Sequence, residues 1–211
     1  MKKTLNKNTL KYIICGSISL LVIIIDFITK ILAVTCLEEN KPIKVLGEFL
    51  KLDLTFNEGV AFGLGDFGNP AIWGVLSLVM SGVIGFMIYK VGDIKTKPVG
   101  TIALSLMLGG ALGNMVDRFF NFPASIYGGF GVVDFVNTNH IVELLSGGRF
   151  TWGVWNIADS MLCVGTAVLA VHILFFEKDD KKQTNEQQDG IIEVEAEVVT
   201  VEEPSSGEQN D

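Results

Sequence analysis

Histidine is almost missing from these 211 residues: only His140, in a loop, and His172, in a late apolar run, are present. Neither stands near a serine or cysteine motif that would make a nucleophile–base pair. Cysteine is scarce as well. Cys15, Cys36 and Cys163 form no CxxC and no metal-ligand spacing, which excludes a disulfide framework and a zinc site; a thiol in an apolar run packs as a small hydrophobe. Charge is sparse at 19% of residues, and much of the formal net charge of −8 sits in residues 177–211, an acidic Gln/Asn-rich stretch with no aromatic after Phe176. Such a tail is expected to be disordered, so the net charge says little about the rest of the chain, and no nucleic-acid partner is expected.

What is abundant is apolar sequence, 49% of the chain. A helix needs about 20 mostly apolar residues to cross a bilayer. Residues 12–32, 70–89, 99–116 and 155–176 meet that requirement, which predicts an all-α membrane protein built as a four-helix bundle. Small residues recur in these spans, and Gly109 and Gly113 in "GGALG" have the G-x-x-x-G spacing that lets helices approach closely in lipid.

Basic residues set the orientation. Lys2, Lys3, Lys7 and Lys11 precede the first span, Lys90, Lys95 and Lys97 fill the loop after the second, and Lys178, Lys181 and Lys182 follow the fourth. The longer loops hold fewer basic residues and carry acids such as Glu38, Glu39, Glu48 and Asp66. The positive-inside rule then places both termini in the cytoplasm and both long loops outside. The first span is no cleaved leader: it is long, no A-x-A-like site follows, and Asp26 and Lys30 lie in its outer end. The first outer loop alternates apolar and polar residues over 45–56, which predicts short strands at the membrane surface, before Gly59, Gly63, Gly65 and Gly68 interrupt it. The second, 119–154, is Gly-rich with one short helix expected near 139–145.

Polar residues inside spans need a reason, because a charge at a helix centre costs on the order of 2.5–3.5 kcal/mol on insertion scales. Asp26, Asn114, Asp117, Arg118, Asn156 and Asp159 lie at helix ends that, by this topology, all reach the same outer face, and Asp134 sits in the loop beside them. Helix ends tolerate polar groups, and Asp159 also suits a first turn through the helix dipole. Two acids flanking one loop nevertheless offer a definite chemistry. Carboxylates close enough to share a proton keep one partner neutral; the charged one takes a proton from water, and the neutral one donates to the developing oxyanion. No metal or cofactor is called for. A proton-coupled transporter and a non-enzymatic scaffold stay open as other classes, although spans two and four are almost wholly apolar below their outer ends.

The strings "DFITK" (26–30), "NEGVAFG" (57–63), "GGALGNMVDR" (109–118), "VVDF" (132–135) and "NIAD" (156–159) resemble, in order, the motifs of bacterial lipoprotein signal peptidase, or signal peptidase II, over residues 12–176. The resemblance implies a membrane aspartic peptidase of the bacterial cytoplasmic (inner) membrane. It implies a cut just before a cysteine carrying a diacylglyceryl group in prolipoprotein substrates, and a small sheet-like cradle formed by the first outer loop. Asp134 and Asp159 match the catalytic pair; Asn57, Gly59, Asn114, Arg118, Asn156 and Asp26 match substrate-site positions. Beside it, the residues themselves say that Asn114 and Arg118 share one helix face, and that Asp117 points off it and suits a structural salt bridge. Residues 57–59 offer an amide and open backbone to an extended peptide. The chain departs from the pattern in a somewhat long loop between the two acids and in Trp155 where Phe is common. It is read as a monomer among membrane lipids, with 1–176 as the peptidase and the tail without a role.

Overall fold

A computed structural model of the chain describes residues 7–59, 70–90 and 98–175. The expected tail disorder, the glycines at 63, 65 and 68, Asp66 and several of the orienting lysines lie outside the described residues. Met1–Leu169 form one compact unit that carries every feature of the site; of 170–211, only the helical residues 170–175 are described.

Four helices among the described residues are long and apolar enough to cross a membrane: α1 (Lys7–Cys36), α2 (Pro70–Lys90), α3 (Pro98–Phe120) and α6 (Ile157–Phe175). α1 shows how lipid inverts the usual amphipathic rule. Its buried face is Lys11, Cys15, Ser19, Val22, Asp26, Lys30 and Ala33, spaced three or four apart, while Leu20, Leu21, Ile24, Ile25, Ile28 and Leu32 are exposed. Lipid accepts the aliphatic side chains, and the protein interior takes the polar ones.

α3 is the central helix, in contact with both α1 and α2. The expected small-residue packing is visible atom by atom. A Cβ on Gly109 would stand 2.7 Å from the Val22 Cβ, and one on Gly110 would stand 2.3 Å from the Ala158 carbonyl oxygen. Only hydrogen fits there, so α1 and α6 both press on the α3 backbone at the level where the polar residues gather.

Between these spans lie β1 (Ile43–Lys44), β2 (Lys51–Asn57), α4 (Ala124–Tyr127), β3 (Val132–Asn137), α5 (Asn139–Ser146) and β4 (Val154–Trp155). The strands make one antiparallel sheet in the order β1-β2-β3-β4, so the cradle expected of the first loop draws half its strands from the second. The sequence hid β3 for a physical reason: Val132, Val133, Asp134, Phe135 and Val136 are all buried. Covered on both faces, the strand has no polar side to alternate with, and period-two patterning vanishes. Val133, Phe135 and Val136 pack with Leu54, with Ala33 and Val34 of α1 and with Leu37 just after it, which fixes the sheet to one end of the bundle. Residue 155 was counted in the fourth span, but Trp155 is the end of β4 and α6 starts at Ile157.

Candidate active site

Asp134 sits mid-strand in β3, opposite Thr55 of β2, and is only 2% exposed. Asp159 occupies the third position of α6 and is half-buried. Asn156, just before that helix, joins them. Its Oδ1 accepts the Asp159 N–H at 2.9 Å, while Asp159 Oδ2 accepts the Asn156 N–H at 3.3 Å, a reciprocal cap that satisfies orphan amides of the first turn. Because Asn156 Oδ1 is committed there, its amide N–H groups must point the other way, and Nδ2 donates to Asp134 Oδ1 at 2.6 Å. One asparagine therefore touches both acids.

The same forced-orientation logic fixes the other amides. Asn57 Oδ1 accepts the Gly59 N–H at 3.1 Å, so its Nδ2 donates to Asp134 Oδ2 at 3.0 Å. Asn114 Oδ1 accepts from Lys30 Nζ at 3.0 Å and from Asn156 Nδ2 at 3.1 Å, which leaves Nδ2 to donate to Asp159 Oδ1 at 2.7 Å. Each of the four carboxylate oxygens thus receives one N–H bond and keeps a lone pair in hand.

Burial first, and the Asp159 charge second, push the Asp134 carboxyl up to about 7, against the N–H bonds from Asn57 and Asn156 that favour its charged form. Coupling of this size belongs to the pair rather than to either acid alone. Asp159 also lines a mainly apolar cavity of about 340 Å³ with Thr138, Val142, Trp152, Trp155 and Cys163.

The remaining site residues divide by what they touch. Arg118 Nη1 donates to Ser77 Oγ at 3.1 Å, its Nε is buried without an acceptor among the described residues, and its charge lies within electrostatic reach of Asp159 and Asp134. Gly59 has φ +130°, and a Cβ there would stand 1.9 Å from Trp73 Cδ1, so glycine alone serves. Asp26 differs from the rest: Oδ1 accepts the Ala158 N–H at 2.9 Å and Oδ2 pairs with Lys30 at 2.7 Å. Both oxygens have protein partners, which gives Asp26 a bracing contact between α1 and the start of α6. Asp117 pairs with Lys30 at 2.6 Å, the structural salt bridge anticipated for it.

Lys30 had no assigned role, yet it is 0% exposed and central to this cluster. The signal for it was present: a lysine deep in an apolar helix, four residues after an aspartate. β3 was missed for the reason given above, and with it the cross-strand partner that seats Asp134.

A family model described as "Signal peptidase (SPase) II" matches residues 18–175. A lipoprotein signal peptidase of Rhodococcus jostii (strain RHA1) is 34% identical over 168 residues, which cover 80% of this chain and 74% of that protein. Another, from Mycobacterium avium (strain 104), is 34% identical over 163 residues, covering 77% of this chain and 79% of the relative. Two solved structures described as a bacterial membrane enzyme superpose with TM-scores of 0.61 and 0.59 at 26% and 25% identity. They cover 76% and 77% of this chain, and 87% and 93% of their own. With four apolar helices and a small antiparallel sheet besides, the chain belongs to the signal peptidase II family of membrane peptidases.

Proposed function

We propose that this enzyme removes the signal peptide from prolipoproteins carrying a diacylglyceryl group, cutting just before the lipidated cysteine with Asp134 and Asp159 as its catalytic pair. The observation that carries the reading is the shared contact with Asn156, which donates to both carboxylates. Burial raises the Asp134 carboxyl to about 7, and this supports assigning it the pair's proton, with Asp159 as the charged partner.

The steps follow from that division. Asp159 takes a proton from water as the water oxygen attacks the amide carbonyl. Asp134 gives its proton to the developing oxyanion, forming a gem-diol; as the C–N bond breaks, Asp159 passes the proton it took from water to the leaving nitrogen, and a diol hydroxyl returns its proton to Asp134, which restores the pair. The N–H bonds from Asn57, Asn114 and Asn156 hold the acids in place. Arg118 Nε is a buried donor for a substrate carbonyl, and an unfilled buried donor costs about 1–3 kcal/mol. Backbone near Gly59, beside β2, suits an extended peptide.

The substrate's acyl chains contribute about 0.8 kcal/mol per CH₂ of membrane affinity, but substrate and product share that contact, so it sets depth rather than driving the cut. Lysine placement supports cytoplasmic termini and a site at the outer face of the cytoplasmic membrane. The peptidase occupies 1–176 as a monomer, with 177–211 as a tail outside the catalytic unit. The deciding experiment replaces Asp134→Asn and Asp159→Asn singly in membranes given a lipid-modified precursor. Each variant is expected to insert normally and leave the precursor uncut; full cleavage by either removes the dyad.

A further inference from the structure

A completely buried ammonium two hydrogen bonds from one acid of a carboxylate pair invites a task beyond bracing helices. On the dyad reading above, we propose that Lys30 is a positioning residue: it holds the Asn114 carbonyl so that only N–H groups face Asp159, and thereby favours the charged form of that acid.

An ammonium has three N–H donors and no acceptor. Two of the Lys30 contacts go to Asp26 Oδ2 at 2.7 Å and Asp117 Oδ2 at 2.6 Å, and these alone would satisfy a structural ion pair. The third goes to Asn114 Oδ1 at 3.0 Å, the oxygen that also accepts from Asn156 Nδ2 at 3.1 Å. A rotated Asn114 amide would set its NH₂ against two donors, Lys30 Nζ and Asn156 Nδ2, and its oxygen against Asp159. Asp159 would meet that oxygen favourably only if it held the proton itself. Lys30 therefore penalises the arrangement in which Asp159 is the acid. The effect passes through Asn114 and needs no contact between Lys30 and substrate.

The test uses the full-length enzyme in lipid vesicles with a synthetic diacylglyceryl peptide. Lys30→Met alone would leave Asp26 and Asp117 unpaired, so it is combined with Asp117→Asn, which leaves one formal negative charge as the native trio does. The expected result is a kcat about 100-fold lower with KM and Tm near native, the pattern of a contact that matters in the transition state only. Lys30→Gln with Asp117→Asn keeps an N–H for the Asn114 carbonyl and is expected to recover about 10-fold of that loss. Near-native kcat in the Met variant, equal activity of the Gln and Met variants, or failure of both to fold would each assign Lys30 to bracing and overturn the proposal. Cleavage by Asp134→Asn or Asp159→Asn would instead strike the dyad itself, so the two failures are told apart.

Discussion

Asp26 Oδ1 accepts the Ala158 backbone N–H at 2.9 Å, across 132 positions of sequence. An acid of the first span thus caps the first turn of the last one, directly beside Asp159. This bond sets the height and rotation of α6 relative to α1, and it explains why an aspartate lies so deep in an otherwise aliphatic helix.

Asp26→Ala removes that cap and one partner of Lys30. Breaking a buried ion pair by removing one member costs about 3–5 kcal/mol. The thermal midpoint in detergent should fall, and the enzyme that remains folded should show a native KM, because neither Asp26 oxygen faces the site. A raised KM in folded enzyme would return Asp26 to substrate binding.

The pH dependence has a definite sign. Asp134 is raised from 3.8 to about 7 in the folded protein, so its neutral form is favoured by folding. That stabilisation is complete below 3.8 and is lost as pH rises towards about 7. The thermal midpoint of the native enzyme should therefore decline over that window relative to Asp134→Asn, which has no proton to lose. Turnover should fall on the alkaline side of about 7, as the pair gives up its shared proton. A turnover profile flat from pH 6 to 9 would contradict the assignment of Asp134 as the acid.

Asn57→Ala deletes the N–H bond to Asp134 Oδ2. Losing a donor to the charged form raises the carboxyl further, so the alkaline limb of the turnover profile should move to higher pH. Turnover at its optimum should drop about 10- to 100-fold, a usual range for one lost polar contact near a reacting centre. Steady-state kinetics across pH distinguish this from simple misfolding, which would lower activity without moving the limb.

Asn114→Ala removes the donor to Asp159 Oδ1 and frees Lys30 of its third partner. The expected loss of turnover is about 10- to 1000-fold. Unaltered turnover would assign Asn114 to packing.

Gly110→Ala tests the helix packing that positions the site. Its new Cβ would meet the Ala158 carbonyl at 2.3 Å, which forces α6 outward and moves Asp159 with it. Overpacking of this kind costs about 1–3 kcal/mol. Gly85→Ala in α2 is the control, since a Cβ there meets nothing within 4 Å; its thermal midpoint and turnover should stay native.

Much of this was legible beforehand, and the parts that were not share a cause. The spans were readable because bilayer thickness imposes a length on apolar runs. The short helix expected at 139–145 was readable from local pattern and is α5, Asn139–Ser146. β3 was not, because a strand buried on both faces has no alternation to detect. Lys30 could be flagged as unusual but not assigned, because its partners come from two helices.

Residue order alone determined which segments are long and apolar enough to cross a membrane and which family the chain joins, since both follow from local hydropathy and short motifs. Tertiary structure alone decided that Asn156 donates to both Asp134 and Asp159, that a strand from each of the two long loops forms the seat of Asp134, and that Lys30 donates to the Asn114 carbonyl. The physical reason is that a hydrogen-bond partner is chosen by packing among residues far apart in the chain, whereas the tendency to enter lipid is a property of each segment by itself.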